Sequence, residues 1–132
     1  MSPPIITALY AGLAGLIYAW LTLAVIRHRR GKRIVLGDGG DPVVEKSIRG
    51  QANAAEQMPM VLLLLGLTEM LGAPAFAVHL AGAVFIFGRL VHGLHFNGYL
   101  GFQARPLGMS LSLLTLLILA IGLVAHAIAQ MG

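Results

Sequence analysis

The chain contains no cysteine. A disulfide framework and a thiolate metal site are therefore excluded, and any thiol chemistry must use a thiol that a substrate brings. Charge is the second shortage. Only 11% of the 132 residues are Asp, Glu, Lys or Arg, against about a quarter in a soluble domain. With 58% hydrophobic residues and a mean hydropathy of +0.84, the composition is that of a membrane protein with several spans. Lys and Arg are absent from both ends: all nine lie between Arg27 and Arg105, and seven of them between Arg27 and Arg49. The isoelectric point near 10.1 does not point to nucleic acid, because the basic residues gather in one loop, where acidic lipid headgroups would face them. A chain of this length is expected to form one domain.

The apolar runs set the fold. Pro4 to Ile26 is uncharged and long enough to span a hydrocarbon core of about 30 Å. It lacks the basic n-region of a signal peptide, and basic residues follow it directly. The cluster Arg27-His28-Arg29-Arg30-Gly31-Lys32-Arg33 reads as a stop-transfer signal. The Gly37–Pro42 loop has Asp and Gly without the EF-hand spacing, so calcium is rejected. Asp41 reads as an N-cap and Pro42 as the first helical residue. The second helix is predicted from Pro42 to Leu71, with a kink at Pro59 and only its second half continuously apolar. Gly72-Ala73-Pro74 is a turn, and a third helix is predicted from Ala75 to Asn97. Pro106 is expected to open the fourth, which runs to Ala129. The predicted fold class is all-α: an integral membrane four-helix bundle, one domain over residues 1–132. The asymmetry of Lys and Arg places both basic loops in the cytoplasm and both termini on the other side.

The polar residues then form a pattern. Helical residues advance about 100° each. Glu45, Arg49, Asn53 and Glu56 fall at roughly 0°, 40°, 80° and 20° on that wheel. A solvated first turn with an i,i+4 ion pair covers Glu45 and Arg49, but leaves Asn53 and Glu56 unexplained just before an apolar run. On the third helix, Arg89, His92 and Phe96 lie within roughly 60°. Arg105 begins the fourth. His79 and His95 point elsewhere and receive no role, and Ser110, Ser112 and Thr115 read as packing residues. Arg49, Asn53, Glu56, Arg89, His92 and Arg105 all lie toward the same membrane face. A charge at mid-membrane costs about 2.5–3.5 kcal/mol on insertion scales, so several at one level are best explained as partners for each other and for a charged ligand. Arginine forks match carboxylates and a glutamate matches an ammonium. The ligand expected is a small zwitterion with more than one carboxylate and an amine. The surrounding bilayer would supply a lipophilic second substrate. No metal site is expected.

Two motifs carry a resemblance that covers essentially the whole chain. One is Arg49-x-x-x-Asn53-x-x-Glu56 with Pro59 beyond it. The other is Arg89-x-x-His92 followed by Phe96 and, after a loop, Arg105. With four spans and a basic first loop, the sequence resembles the membrane-associated proteins in eicosanoid and glutathione metabolism (MAPEG). Its Gly37–Pro42 loop is similar to that of the bacterial branch. The resemblance implies a homotrimer in the inner membrane, with glutathione as co-substrate between neighbouring subunits. It implies that Arg49, Asn53 and Glu56 hold the peptide. Gln51 matches another glutathione-contacting position, although it points about 200° away from Arg49 on an ideal wheel. Arg89 and His92 match the second motif. Phe96 stands where eicosanoid synthases carry tyrosine, so no hydroxyl is available there. Arg105 lies near the position of the arginine that stabilises the glutathione thiolate. Arg30 stands for the helix-one arginine of the family, with Arg27 and Arg29 indistinguishable from it. The activity implied is a glutathione-dependent transferase or peroxidase acting on lipophilic electrophiles. A non-catalytic lipid-binding scaffold of the same family is the alternative. A small four-span transporter is a weaker one, because helix one lacks charge.

Overall fold

A computed structural model describes residues 3–132. Among them are four helices and no strand: α1 Ile5–Gly31, α2 Pro42–Met70, α3 Ala75–Phe96 and α4 Ala104–Met131. The protein is an all-α membrane bundle. α1, α3 and α4 are each long and apolar enough to cross a membrane. α2 is as long, but its first half is too polar to qualify on composition alone. It nevertheless traverses the bundle antiparallel to α1. Glu69 near its end meets Ile6 and Thr7 at the start of α1, and Gln51 near its start meets Thr22.

The helix limits differ from expectation where charge and capping act. α1 continues beyond Ile26 through the basic cluster to Gly31, with His28, Arg29 and Arg30 in its last turn. Cations there favour the negative end of the helix dipole. α4 begins at Ala104, ahead of Pro106, because proline is tolerated anywhere in a first turn, where its missing N–H has no intrahelical partner. α2 is one continuous helix through Pro59, whose ring deprives a single carbonyl of its partner.

Asp41 caps α2 as its sequence context requires. Its Oδ1 accepts the backbone N–H of Val43 at 2.9 Å and of Val44 at 3.1 Å. Lys32 Nζ lies 3.1 Å from Oδ2. The Val44 N–H foremost, and then Lys32, hold the Asp41 carboxyl below its ordinary range.

α1 and α4 each pack against both α2 and α3, but not closely against each other. The core between the helices is built from Ala14, Leu21, Ala54, Val61, Leu65, Val78 and Phe85, each almost fully buried. One charged residue breaks the expected apolar second half of α2. Glu69 is buried, and its carboxylate accepts the N–H groups of Ile6 at 2.9 Å and Thr7 at 2.7 Å. The α1 N-cap is Pro4, which offers no side-chain acceptor, so Glu69 satisfies donors that would otherwise face hydrocarbon. Nearby, the Tyr10 hydroxyl and His79 Nδ1 are 3.1 Å apart, which gives His79 a structural partner.

Candidate functional site

At the end of the bundle that carries the 32–41 and 97–103 loops, α2, α3 and α4 diverge around an open cavity of about 750 Å³. α2 contributes Arg49, Ala52, Asn53 and Glu56. α3 contributes His92 and Phe96, the loop contributes Phe102, and the first turns of α4 add Arg105, Pro106 and Met109. Six residues singled out from the sequence therefore share one wall or another of a single cleft: Arg49, Asn53, Glu56, His92, Phe96 and Arg105.

Close helix contacts create this convergence. At Gly50 a Cβ would lie 2.6 Å from Phe96 Cβ, so only glycine lets α2 sit this close to α3. At Gly108 a Cβ would lie 2.6 Å from the Gly88 carbonyl oxygen and 2.8 Å from His92 Cβ. The α3–α4 crossing is thus backbone against backbone, and it delivers the first turn of α4 to the cavity. His95, given no role by its position on the wheel, fixes the connecting loop: its Nδ1 donates to the Gly101 carbonyl at 2.9 Å. The loop in turn carries Phe102.

The charges meeting the cavity are unpaired. Among the described residues the one ion pair is Lys32–Asp41. The i,i+4 pair between Glu45 and Arg49 does not form, and Arg49 and Glu56 are both exposed on the cavity side of α2. Arg105 rests on an aromatic face, its Cζ 5.8 Å from the Phe96 ring centroid. Phe96 stacks on His92 with centroids 4.7 Å apart and takes the edge of His95 at 5.2 Å. Where a tyrosine hydroxyl is missing, the ring instead supplies a cation–π platform. Phe96, Phe102, Pro106 and Met109 give the cavity an apolar lining around Arg105.

Three sequence candidates lie elsewhere. Arg89 is 1% exposed and does not line the cavity. It turns onto α4 and α2, where it bonds Ser112, Gly108 and Asn53. Gln51 Nε2 donates to Thr22 Oγ1 of α1 at 3.0 Å, consistent with its position on the far side of α2 from Arg49. Arg30 ends α1, the helix that does not pack closely against α4. Within one chain neither Gln51 nor Arg30 reaches the cavity. Both lie on the α1 side of the bundle. Among the described residues no group of three or more His, Asp and Glu is gathered for a metal.

Sequence reasoning missed Ala52, Phe102, Pro106 and Met109 as cavity walls, and Ser112 as a partner of Arg89. Met109 was within reach, being one turn beyond Arg105 on the same face. Phe102 depends on the loop path, and no local pattern encodes it.

An antiparallel bundle of apolar helices with a polar cleft at one end defines a small polytopic membrane protein. Its relatives agree with this class. A model of the MAPEG family matches residues 7–125, so the chain belongs to that family. It is also 36% identical over 116 residues to the inner membrane protein YecN of Escherichia coli strain K12, covering 88% of each chain. The YecN of the O6:H1 strain matches to the same extent.

Proposed function

We propose that the protein is a glutathione-dependent transferase or peroxidase acting on lipophilic electrophiles, assembled as a homotrimer. The observation that carries this reading is the pairing of two surfaces in one cavity. One, on α2, presents Arg49, Asn53 and a lone Glu56 carboxylate, and the other, on α3, the 97–103 loop and α4, presents Phe96, Phe102, Pro106 and Met109 around Arg105. Glutathione has two carboxylates for the cations and an ammonium for Glu56. Its size suits a cavity within the usual range of about 300–1,000 Å³. On this reading a lipophilic electrophile would partition from the bilayer onto the apolar lining.

On this reading Arg105 acts on the sulfur. A free thiol has a pKa near 8.5 and is only a few per cent thiolate at pH ~7. A guanidinium at the start of a helix favours the anion twice, through its own charge and through the dipole. Proximity to a bound electrophile would then supply the remaining acceleration.

The test is titration of the purified, detergent-solubilised protein with glutathione, followed by conjugation of a generic aryl halide. Saturable binding with turnover is expected. Binding without turnover of any electrophile or peroxide would favour the lipid-binding scaffold, and absence of binding would end the glutathione reading.

A further inference from the structure

Arg89 stands behind the cavity, yet it decides what one wall of the cavity offers. Its guanidinium is nearly inaccessible and has no carboxylate within ion-pair distance among the described residues. All three of its partners are neutral. Nη1 donates to Asn53 Oδ1 at 2.7 Å, Nε to Ser112 Oγ at 2.7 Å and Nη2 to the Gly108 carbonyl at 3.4 Å. The Ser112 hydroxyl donates onward to the same Gly108 carbonyl at 2.9 Å, which leaves its lone pairs for Arg89. Donation therefore runs in one direction through the network.

A guanidinium has donors only, whereas an asparagine amide can present either end. Next to Arg89 the choice is removed. Asn53 must turn its oxygen inward, and its amide nitrogen must face the cavity that Asn53 lines. Four residues away on the same face is Arg49, another pure donor. We propose that Arg89 is a positioning residue that locks Asn53 as a hydrogen-bond donor, so that the Arg49–Asn53 stretch of the wall accepts a carboxylate and rejects a carboxamide. A carboxylate offers an acceptor to each of the two donors. A carboxamide can offer its oxygen to one, but sets its own N–H groups against the other.

The ligand used to test this rests on the glutathione reading, while the lock itself does not. Affinities of the full-length protein for glutathione and for its two monoamides are measured by calorimetry, in the wild type and in Arg89→Leu. A hydrogen bond to a charged group is worth roughly tenfold or more in affinity. The wild type is expected to disfavour one monoamide by about tenfold or more. Arg89→Leu frees the amide to turn over, and the ratio is expected to fall to within about threefold. A merely structural role would weaken all ligands alike, so an unchanged ratio overturns the proposal. Arg89→Leu removes a buried hydrogen-bonding hub, so Asn53→Asp and Asn53→Leu serve as a second comparison by thermal unfolding. Asp keeps an acceptor against Arg89 and is expected to unfold at or above the wild-type temperature, with Leu well below it. Equal melting of the Asp and Leu variants overturns the lock. If the wild type binds no glutathione, the functional reading fails and this thermal comparison still decides the role of Arg89.

Discussion

The Glu69 carboxylate accepts the Thr7 backbone N–H at 2.7 Å, across 62 residues of sequence, and so closes the start of α1 from the end of α2. The second oxygen takes the Ile6 N–H at 2.9 Å. Two free helical donors are thereby satisfied where neither Pro4 nor lipid could do so. Leaving such donors unmet costs about 1–3 kcal/mol. Glu69→Ala is therefore expected to lower thermal stability in detergent by that order, and Glu69→Gln, which keeps one acceptor, by less. Glutathione binding at the far end of the bundle should persist in any Glu69 variant that stays folded. An Ala variant that melts with the wild type would show that the cap contributes nothing.

The backbone contact between Gly88 and Gly108 sets the position of Arg105. A methyl group at Gly108 would meet the Gly88 carbonyl oxygen at 2.6 Å and His92 Cβ at 2.8 Å. Neither neighbour is the free end of a flexible side chain, so α4 must move. Overpacking of this kind costs about 1–3 kcal/mol. Gly108→Ala is expected to melt earlier and to lose turnover by more than it loses glutathione affinity, since Arg105 moves with α4 while Arg49 and Glu56 stay on α2. Gly122, where a Cβ meets nothing within 4 Å, is the control position for Ala substitution. Equal turnover in the two variants would count against a positional role for the crossing.

Stability should also carry a signature of Asp41. Its carboxyl is held below the ordinary range by the Val44 N–H and by Lys32. A depressed folded-state pKa means that the contribution is complete above the unfolded value near 3.9 and is lost as pH falls through the folded value. The difference in melting temperature between the wild type and Asp41→Ala is expected to be constant from about pH 7 to about pH 5, then to shrink as pH drops below about 4. A difference that grows on acidification would mean that the charge of Asp41 opposes folding.

How much of this was legible in the sequence depends on what each signal measures. The shortage of charge and the lengths of the apolar runs report the solvent of the helices, so fold class and helix order could be read directly. The helical wheel reports azimuth, which is why Arg49, Asn53 and Glu56 could be grouped before any coordinate was known. It does not report which neighbour fills that azimuth. Arg89 and His92 sit roughly 60° apart on α3 and both are buried, yet only His92 lines the cavity, while Arg89 turns onto α4. Glu69 shows the same limit from another side. A lone acid at the end of an apolar run has no local partner, and its true partners are 62 and 63 residues upstream. The extension of α1 through its arginines needed the energetics of the helix end as well as hydropathy.

Charge reading at the α2 wall gives an expectation independent of chemistry at sulfur. Arg49 and Glu56 each line the cavity without an ion-pair partner among the described residues. Arg49→Ala and Glu56→Ala are expected to weaken glutathione binding by about tenfold or more, the usual worth of a charge-assisted hydrogen bond. Both side chains are exposed in the single chain, so neither change should cost much stability. Retention of wild-type affinity in both variants would remove glutathione from this cavity.

Arg105 and Phe96 allow the step at sulfur to be separated from binding. Arg105 stands over the Phe96 ring at 5.8 Å, and a partly exposed cation–π contact is worth about 0.5–1 kcal/mol. That is enough to bias where the guanidinium rests, and too little to hold the fold. Loss of the charge itself acts on the thiol. Each pKa unit corresponds to about 1.4 kcal/mol of preferential interaction with the thiolate. Arg105→Ala is therefore expected to raise the pKa of bound glutathione, followed by thiolate absorbance in the ultraviolet, and to slow conjugation at neutral pH in proportion to the lost thiolate. Raising the pH should restore part of that rate, because solvent then removes the proton that Arg105 no longer disfavours. Phe96→Leu keeps the charge but removes its platform, so its shift should have the same direction and a smaller size. A hydroxyl returned by Phe96→Tyr would keep the platform and add a hydrogen-bond donor near the sulfur, lowering the pKa further. If the Arg105→Ala titration overlays the wild type, Arg105 serves only to anchor α4. The thiolate partner must then be another cation, with Arg89 and the Arg27–Arg30 cluster the next to replace.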